Sequence, residues 1–330
     1  MNDAVLVTGG AGFIGSHTVA ALRAAGRRVV VLDDFSTGRR ENLSEWTDDP
    51  QVEVVEGDVR GEVGLLLAGH GPFAAVVHLA AQTLVVRSIA APIDDLNVNL
   101  RATTRLALWA AAAGARRFVF ASSAAVYGEP RRVPVAESEP TTPLSPYGAA
   151  KRAAELYLGC LGPLHGLQTV CLRLFNVYGP RQDPKSPYSG VVATFLARAR
   201  SGEPLTIFGD GQQTRDLIYV GDVARAICLA VGAGSQGQGF LRKEVTSGPP
   251  EPAGINIGTG REVAIVALAA AVQRACGGMT QAITFAPARA GEIARSAATT
   301  DRAAELLGFR AEVELDEGLR RTAAWLAGQG

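Results

Sequence analysis

Short runs of apolar residues, separated by longer stretches with helical spacing, constrain the fold more than any other feature. The runs are rich in alanine, valine and leucine and lack period-two alternation, which is typical of strands buried on both faces of a parallel sheet. Repeated strand–helix units then predict an α/β fold with a Rossmann-type, doubly wound parallel sheet. The runs lie at 4–8, 28–32, 52–55, 75–79, 117–121 and 169–174, and helical patterns include 13–25, 95–113 and 147–161.

The pattern becomes less regular in the second half of the chain, where prolines and glycines interrupt it. We expect a nucleotide-binding Rossmann domain over residues 1–175 and a smaller C-terminal α/β substrate lobe over 176–330 that covers the mouth of the sheet. The segment at about 212–260 is expected to return to the first domain. Residues 232–254 are predicted to form a surface loop, because strand-like residues 255–257 follow at once.

Charge and cysteine content narrow the class of protein. Lys+Arg and Asp+Glu are 32 each, and no basic stripe or acidic tail indicates nucleic acid or a membrane as a partner. No signal peptide or apolar run of about 20 residues is found, so a cytoplasmic location is expected. The scattered histidines form no ligand set, so no metal site is expected. The cysteines lie far apart and are expected to be buried free thiols: Cys160, Cys171, Cys228 and Cys276.

A glycine-rich loop lies between the first predicted strand and the first predicted helix. Glycines there permit a tight turn and let backbone N–H groups approach a pyrophosphate, while the N-terminus of the helix points at the phosphates. An ordinary turn without a ligand is the alternative. The residues expected to contact the cofactor here are Gly9, Gly12, Phe13, Ile14 and Gly15.

Acidic residues at the end of the second strand suit the adenosine half of a dinucleotide. Asp33 follows the glycine loop by about 20 residues, where a carboxylate would bind the ribose hydroxyls and repel a 2′-phosphate. Asp34 reinforces this preference for NAD over NADP. Arg39 and Arg40 weaken it, because arginine can accept a 2′-phosphate.

The third and fourth strands end in residues that could contact the rest of the cofactor. Asp58 could accept a hydrogen bond from the adenine amino group, or it could be a simple turn aspartate. Small residues after the fourth strand would let the cofactor pass close to the sheet, whereas His78 is expected to be a packed core histidine. The cofactor contacts predicted here are Asp58, Val59, Leu79, Ala80 and Ala81.

A phenol, an ammonium and a hydroxyl are predicted to meet beside this cofactor. Tyr147 and Lys151 are four residues apart and share one helix face, and Ser145 with Pro146 marks the start of that helix. The helix dipole and the Lys151 charge are expected to lower the pKa of Tyr147 from about 10 toward neutrality, which makes the phenol a usable base. Ser123 would hydrogen-bond the same substrate hydroxyl on which the Tyr147 phenol acts as a base. A solvated helix pair is the alternative for the tyrosine and lysine.

Together these motifs resemble the extended short-chain dehydrogenase/reductase superfamily, and within it the nucleotide-sugar epimerases and dehydratases. The resemblance covers nearly the whole chain and implies NAD as cofactor, with Asn99, Tyr147, Lys151 and Phe175 also in the cofactor site. Asn99 could brace the local backbone or a water chain. The matching segments are 8–15, 78–81, 97–99, 122–128, 145–151, 173–180, 208–211, 215–216, 219–220, 222–223 and 256–260.

Within the group the chain looks like a UDP-sugar 4-epimerase. The resemblance implies that Tyr147 takes the proton from the sugar 4-hydroxyl while hydride passes to bound NAD, and that hydride returns to the opposite face of a 4-keto sugar. UDP-glucose and UDP-galactose are the expected substrates. N-acetylated UDP-sugars are also expected to fit, because the small Ser296 takes the place of a bulky tyrosine that excludes the acetyl group in relatives.

The resemblance also implies a site for the UDP moiety. Asn176 and Arg215 would meet the diphosphate, and Arg289 would reach a second phosphate or the ribose. Thr206 and Phe208 would frame the uracil, with Val192 covering it. Glu292 would bind ribose hydroxyls. Each arginine alone could equally form a surface ion pair. The residues are Asn176, Val192, Thr206, Phe208, Arg215, Arg289 and Glu292.

Departures from the family pattern bear on the reaction. Ala124 and Ala125 stand where dehydratases carry an acidic pair, and alanine can neither protonate a leaving hydroxide nor remove a proton. Thr83 stands where some hexose epimerases have a lysine near the pyrophosphate, so weaker cofactor retention is expected. A nucleotide-sugar 4-keto reductase or dehydratase and a non-catalytic NAD-sensing regulator are the alternatives. Helices 95–113 and 147–161 resemble those of a four-helix dimer interface, so a homodimer is expected.

Overall fold

The computed structural model describes residues 4–183, 190–232, 254–278, 281–288 and 293–328. Its strands are β1 (Val5–Thr8), β2 (Val29–Asp33), β3 (Val52–Glu56), β4 (Ala75–His78), β5 (Arg117–Ser123), β6 (Gln168–Leu174), β7 (Asn176–Tyr178), β8 (Leu205–Phe208), β9 (Thr214–Arg215), β10 (Leu217–Tyr219), β11 (Ile255–Ile257), β12 (Val263–Ala264) and β13 (Ile283–Ala286). Its α-helices are α1 (Phe13–Ala24), α2 (Val63–Leu66), α3 (Val85–Ala90), α4 (Pro92–Leu96), α5 (Thr103–Ala112), α6 (Pro146–His165), α7 (Val191–Arg200), α8 (Val220–Val231), α9 (Ile265–Ala275), α10 (Asp301–Leu307) and α11 (Leu315–Ala327).

A seven-stranded sheet forms the centre of the molecule, in the order β11–β6–β5–β4–β1–β2–β3. Every neighbouring pair in it is parallel, and the register places Val5 of β1 beside Val29 of β2 and Ala75 of β4. The strand order reverses at β1, and open sheets of this kind bind ligands beyond the carboxyl ends of the strands at such a point. The predicted α/β class and doubly wound sheet are confirmed.

Helices cover both faces of the sheet, which explains why its central strands read as apolar runs, whereas the edge strand β3 carries Glu53 and Glu56 and is partly exposed. On one face α1 and α8 pack together, with Leu22 and Ile227 in a shared core. On the other face α5 and α6 pack together and bury Leu106, Ala154 and Leu158. Strands covered on both sides gain no benefit from alternating polarity, so they appear in the sequence as continuous apolar runs.

The remaining strands form three two-stranded sheets. β7 pairs with β10 and β8 pairs with β13 in parallel, while β9 and β12 are antiparallel. Helices α7, α9 and α11 pack with these strands around Phe195, Leu196, Leu268 and Leu319. The boundary between residues 175 and 176 stays a prediction, and most of the predicted 232–254 loop lies outside the described residues.

Both long helices predicted around the catalytic motif are present, but one of them contains a π-helical turn. The helix expected at 147–161 is present as the longer α6, which ends at Gly166 with φ +66°. The helix expected at 95–113 is present over 92–112, but it is not α-helical throughout, because a π-helical turn at Asn97–Ala102 lies between α4 and α5. Asp95 and Asn99 are both buried around this turn, so the interruption accompanies a polar cluster inside the protein.

Cysteine burial follows the prediction only in part. Cys171 and Cys228 are buried and Cys276 is half-buried, but Cys160 is exposed on α6, so the expectation of a buried thiol is wrong there. In the part of the chain that the structure describes, no helix is long and apolar enough to cross a bilayer, and no cluster of His, Cys, Asp and Glu could hold a metal ion.

An ion pair is buried between β6 and α6. Arg173 is 3% exposed and Glu155 is fully buried, and the guanidinium donates from Nε and Nη2 to the two carboxylate oxygens at 2.9 and 2.8 Å. Ser122 Oγ donates to the same carboxylate at 2.5 Å. Arg173 Nη1 also donates to the Tyr127 hydroxyl at 2.9 Å, which in turn donates to Asn256 at 2.7 Å. This network ties the strand before Ser123 to its neighbours.

Candidate active site

The glycine loop after β1 has the shape of a phosphate cradle. Gly9 has φ +69°, and a Cβ there would lie 2.7 Å from the backbone nitrogen of Ala80. A Cβ on Gly15 would lie 2.0 Å from the Gly9 carbonyl oxygen. Helix α1 begins directly after Gly12 with no side-chain cap and no acidic residue in its first turn. Its first N–H groups are therefore available to an anion, which fits the pyrophosphate of a dinucleotide.

Two of the predicted cofactor residues, Phe13 and Ile14, form the first turn of α1. Both are half-buried, and their side chains pack against the core of the three small sheets. Their backbone groups lie at the positive end of the helix. Contact of these residues with a cofactor stays a prediction.

Asp33 stabilises the glycine loop through hydrogen bonds to backbone N–H groups. Its carboxylate is 6% exposed and accepts hydrogen bonds from the backbone N–H groups of Ala11 and Phe35, both at 2.9 Å. Burial raises the pKa of Asp33, and these two hydrogen bonds act against that rise. The carboxylate lies beside the loop as expected, but a ribose would have to share it with two backbone donors.

The charged residues near Asp33 are engaged with each other. Asp34 accepts from the backbone N–H of Ser36 at 3.0 Å. Arg39 pairs with Asp183 at 2.7 Å, and Arg40 pairs with Glu56. Arginines with carboxylate partners offer less to a 2′-phosphate, so the structure weakens the one argument for NADP.

The predicted cofactor residues after β3 and β4 lie at the carboxyl ends of these strands, but one of them, Asp58, already has a hydrogen-bond partner. Asp58 is held by Arg60, whose Nε donates to it at 2.8 Å, and this side-chain hydrogen bond lowers the pKa of Asp58. Its role toward adenine stays a prediction. Val59 is buried. Ala80 lies directly against the glycine loop, and its backbone N–H donates to Thr8 Oγ1 at 3.3 Å.

His78 is a packed core residue, as predicted. Its ring is 1% exposed, and its two nitrogens lie 2.7 Å from Thr8 Oγ1 and 2.9 Å from Thr103 Oγ1. Thr103 donates its hydroxyl proton to the Asn99 carbonyl, so it accepts from His78 Nε2. Burial lowers the pKa of His78 to about 3, so the ring is neutral.

Ser123, Tyr147 and Lys151 come together at the carboxyl end of β5. The Ser123 hydroxyl accepts from the Ala125 backbone N–H at 3.1 Å and is close enough to the Tyr147 phenol to lower its pKa. Lys151 Nζ lies 5.9 Å from the centre of the Tyr147 ring and donates to the Ala121 carbonyl at 2.9 Å. The structure therefore brings the three predicted catalytic residues into one cluster.

Helix α6 holds the phenol and the ammonium on one face because its start is fixed. The Ser145 side chain caps the helix by accepting from the Gly148 N–H at 3.2 Å, and Pro146 occupies the first helical position. Both features are as predicted. Tyr147 then falls in the first turn and Lys151 one turn later.

The expected lowering of the pKa of Tyr147 is wrong for the protein as the structure shows it. Burial is the largest influence and raises the pKa of Tyr147, the hydrogen bond from Ser123 lowers it, and the charge of Asp95 raises it. Burial likewise lowers the pKa of Lys151 to about 8, against the opposing effects of Asp95 and Glu155. Desolvation of the pair outweighs the helix dipole and the lysine charge on which the prediction rested.

Two buried residues of this cluster, Asp95 and Gln82, were not among the site residues predicted from the sequence. Asn99 is 1% exposed and donates to the Gln82 carbonyl at 2.8 Å and to Asp95 at 2.9 Å. Gln82 Nε2 also donates to Asp95 at 2.8 Å. Asn99 thus braces the backbone, as expected, but Asp95 and Gln82 do so with it. The i, i+4 spacing of Asp95 and Asn99 is the signal that could have revealed the pair.

The predicted UDP-binding residues that the structure describes lie on the three small sheets and on helix α7. Asn176 is exposed, with its backbone N–H bonded to the Asp216 carbonyl. Arg215 donates from Nη1 to the carbonyls of Thr214 and Ile293, both at 2.8 Å, so part of its guanidinium serves the fold.

The other predicted uracil contacts differ in accessibility. Thr206 and Phe208 are half-buried on the same side of β8, and Val192 is 2% exposed in the core of the lobe, so little of its surface is open to a ligand. These contacts stay predictions. Arg289 and Glu292 lie outside the described residues, and β13, which precedes them, ends with Ala286 beside Phe208.

Phe175 connects the end of the main sheet to the C-terminal segment. It is 5% exposed and packs with Val126, Tyr127, Val135 and Ala298. Val135 also donates to the Ala297 carbonyl at 2.6 Å. The segment that contains the half-buried Ser296 therefore runs close to the turn after Ser123.

Comparison with known proteins agrees with this architecture. Residues 5–241 match the model of the NAD dependent epimerase/dehydratase family. A UDP-glucose 4-epimerase of Mycolicibacterium smegmatis is 41% identical over 319 residues, which cover 96% of each chain. A Thermus thermophilus UDP-glucose 4-epimerase in complex with NAD is 37% identical, with a TM-score of 0.83 over 99% of this chain and 100% of that one.

A third relative differs in the sugar that its name gives. The UDP-N-acetylglucosamine 4-epimerase of Methanobrevibacter ruminantium, solved in complex with UDP-N-acetylmuramic acid, is 33% identical and has a TM-score of 0.88 over the whole of both chains. The match of sequence, fold and glycine cradle is complete enough to place the protein. The chain belongs to the NAD dependent epimerase/dehydratase family and is an enzyme whose cofactor is NAD.

Proposed function

We propose that the chain is a UDP-hexose 4-epimerase that acts through a transient 4-keto sugar. The observation that carries the proposal is the cluster of Ser123, Tyr147 and Lys151, which stands at the same end of the sheet as the glycine cradle. The relatives of this chain that are named epimerases align with it over nearly their full length. Inverting one carbinol carbon requires a base, a hydroxyl donor and a redox partner, and the site offers the first two from its own side chains.

Each residue has a separate task in this reaction. NAD, held at the glycine cradle between β1 and α1, would supply the redox chemistry as acceptor and donor of the hydride of the sugar carbon. Tyr147 Oη accepts the proton of the 4-hydroxyl and later returns it to the new carbinol oxygen. Ser123 holds that oxygen and the phenol by hydrogen bonds. The Lys151 ammonium favours the tyrosinate, because a positive charge nearby stabilises an anion in a buried site.

The alternatives have less support. A dehydratase must remove water from the sugar, and the 3₁₀ turn after Ser123 consists of Ala124, Ala125 and Val126, none of which can transfer a proton. A 4-keto reductase would consume reduced cofactor in each turnover, whereas an epimerase needs none in net terms. A regulator that only senses NAD would not need a base and an ammonium in the same buried cluster.

The range of sugars is the finest part of the proposal. Ser296 is small and half-buried, and its segment runs beside the cluster that contains Phe175 and Val126. We infer that this side of the site has room for an acetamido group, so UDP-N-acetylglucosamine is a substrate along with UDP-glucose. The name of the Methanobrevibacter ruminantium relative supports the same inference.

Product analysis by NMR tests these proposals together. Purified protein is incubated with UDP-glucose, UDP-N-acetylglucosamine or UDP-glucuronate, and protein incubated without sugar serves as the control. The expected products are UDP-galactose and UDP-N-acetylgalactosamine, with no net change in NADH absorbance. A 4-keto-6-deoxy product or stoichiometric NADH would overturn the 4-epimerase proposal. Turnover of UDP-glucose without turnover of the acetylated sugar would remove only the inference from Ser296.

We also propose that the protein is a homodimer through helices α3 to α6. Exposed apolar side chains concentrate there, and patches of this kind mark interaction surfaces. A second copy is the expected occupant because the same helices pack against one another within the chain and form one continuous surface. The side chains are Val85, Val86, Ile89, Ile93, Leu96, Leu108, Leu156, Tyr157 and Leu164.

The substitution Leu156→Asp is expected to convert the dimer to a monomer in light scattering. Leu156 is 44% exposed on α6, and a charge placed in an apolar interface must lose its hydration when the interface forms. Phe285→Asp is the matched control, because Phe285 is 60% exposed on β13, away from this surface. A wild-type protein that is monomeric at micromolar concentration would contradict the proposed dimer.

A further inference from the structure

Asp95 is a buried acid that the mechanism above does not use. It is 1% exposed at the end of α4, and one of its oxygens, Oδ1, accepts from Gln82 Nε2 at 2.8 Å and Asn99 Nδ2 at 2.9 Å. Gln82 is fixed in its turn, because its side-chain oxygen accepts from the Leu84 N–H at 2.6 Å. The carboxylate is therefore held rigidly from two sides.

The cluster has more acceptors than donors. Asp95 Oδ2 and Asn99 Oδ1 are both buried without a hydrogen-bond partner among the residues that the structure describes. Unpaired acceptors inside a protein destabilise it unless something else compensates. A nearby positive charge is the simplest compensation for an incompletely bonded carboxylate.

Lys151 is the cation on the neighbouring helix. It is 3% exposed, its ammonium lies 4.7 Å from the centre of the Phe120 ring, and the Ala121 carbonyl accepts one of its three protons. Helix α4 packs directly on α6. An ammonium with one neutral hydrogen-bond partner in a buried site needs a counter-charge to stay protonated.

Among the described residues, the charged groups that act on this ammonium are Asp95 and Glu155. His78 on β4 is neutral, because burial lowers its pKa to about 3. On α6 itself, Glu155 is already bonded to Arg173 and Arg152, and Tyr147 is a phenol. From α4 comes Asp95, which is the larger of the two negative influences on Lys151, ahead of Glu155.

We propose that Asp95, fixed by Gln82 and Asn99, is the buried counter-charge of the Lys151 ammonium and thus a positioning residue for the catalytic pair. This inference rests on the proposed function for its meaning but not for its test. Asp95 carries out no chemistry on the sugar. It keeps the cation beside Tyr147 while the surrounding protein excludes water, and the same negative charge works against premature ionisation of the phenol.

The direction of the effect follows from the charges. A carboxylate favours the protonated form of a nearby lysine and disfavours the ionised form of a nearby tyrosine. Asp95→Asn therefore lowers the pKa of Lys151 and also lowers that of Tyr147. Asparagine has the same shape and can still accept from Gln82 and Asn99, so the fold is expected to survive.

The chain offers an unusually clean measurement, because it has three lysines: Lys151, Lys185 and Lys243. Protein labelled with ¹³C at the lysine ε-carbon gives few signals, and Lys151→Arg assigns the one that belongs to the buried residue. The wild-type titration midpoint of Lys151 is expected near pH 8. In Asp95→Asn it is expected to fall by about one unit. Asp94→Asn is the matched control, since Asp94 is the exposed neighbour on the same helix, and it should leave the midpoint unchanged.

A double-mutant cycle gives a second, independent test. In the wild-type background Asp95→Asn is expected to lower the urea midpoint. In the Lys151→Met background the same change is expected to raise it, because Asp95 is then an uncompensated buried charge. An unchanged Lys151 titration in Asp95→Asn, or equal effects in both backgrounds, would overturn the proposal. Neither readout needs turnover, so a failure of the epimerase proposal would show separately, as wild-type protein that converts no UDP-sugar.

Discussion

Replacing Tyr147 with phenylalanine is expected to lower kcat for UDP-hexose epimerisation by about 10²–10⁴-fold while leaving NAD binding intact. The change removes one oxygen atom, which is the proposed proton acceptor. It leaves the aromatic ring that lies 5.9 Å from Lys151. The glycine cradle between β1 and α1 is untouched, so the cofactor should be retained. Steady-state kinetics and the NAD content of the purified variant check the two halves of the prediction.

Tyr157→Phe is the matched control for this experiment. Tyr157 belongs to the same helix α6 but is 52% exposed, outside the catalytic cluster. Tyr157→Phe also removes one phenolic oxygen atom, and it should leave kcat within about twofold of the wild type. Full activity of Tyr147→Phe would show that another group takes the proton. Loss of NAD together with activity would show that Tyr147 holds the cofactor instead.

Replacing Arg173 with methionine is expected to lower the free energy of unfolding by about 3–5 kcal/mol. Methionine fills most of the space but removes the guanidinium that bonds both carboxylate oxygens of the fully buried Glu155, so that the partly exposed Arg152 at 3.1 Å is the cation left beside it. Tyr127 loses a donor at the same time. Urea denaturation monitored by circular dichroism measures the change.

An exposed pair provides the control for the stability measurement. Arg274 lies 3.2 Å from Asp316, and both side chains are more than 60% exposed. Arg274→Met should therefore cost no more than about 1 kcal/mol, because water screens such pairs. Similar losses in Arg173→Met and Arg274→Met would mean that the buried network contributes little beyond an ordinary surface interaction.

The sequence predicts well what depends on local patterns. Continuous apolar runs indicate strands buried on both faces, and the sheet has these strands in parallel order. Ser145 and Pro146 predict the start of α6, because a side-chain cap and a fixed φ act within one turn. The spacing of Tyr147 and Lys151 then follows from helical geometry alone.

Tertiary environment is what the sequence does not reveal. The direction of the pKa shift of Tyr147 depends on burial by distant segments, so a prediction from helix dipole and spacing is wrong. A periodicity argument does not predict the π-helical turn at Asn97–Ala102, because apolar spacing shows which face of a helix is buried and not which backbone hydrogen bonds the helix forms. The same turn accompanies the Asp95–Asn99–Gln82 cluster, whose members meet only in the folded protein.

Domain boundaries and substrate contacts are harder for another reason. β11 follows the small sheets in the chain but pairs with β6 in the main sheet, so the chain does not divide at one point. Arg215 shows how a motif residue can serve two purposes, since its guanidinium bonds two backbone carbonyls that a sequence pattern cannot anticipate.

The fate of the hydrogen on the sugar carbon tests the central claim most directly. UDP-glucose labelled with deuterium at C4 is incubated with the enzyme in ordinary water, and the product is analysed by NMR and mass spectrometry. The account predicts UDP-galactose that keeps the deuterium at C4, because the same carbon is inverted without exchange with solvent. Product that carries solvent hydrogen at C4, or recovery of UDP-glucose alone, would contradict it.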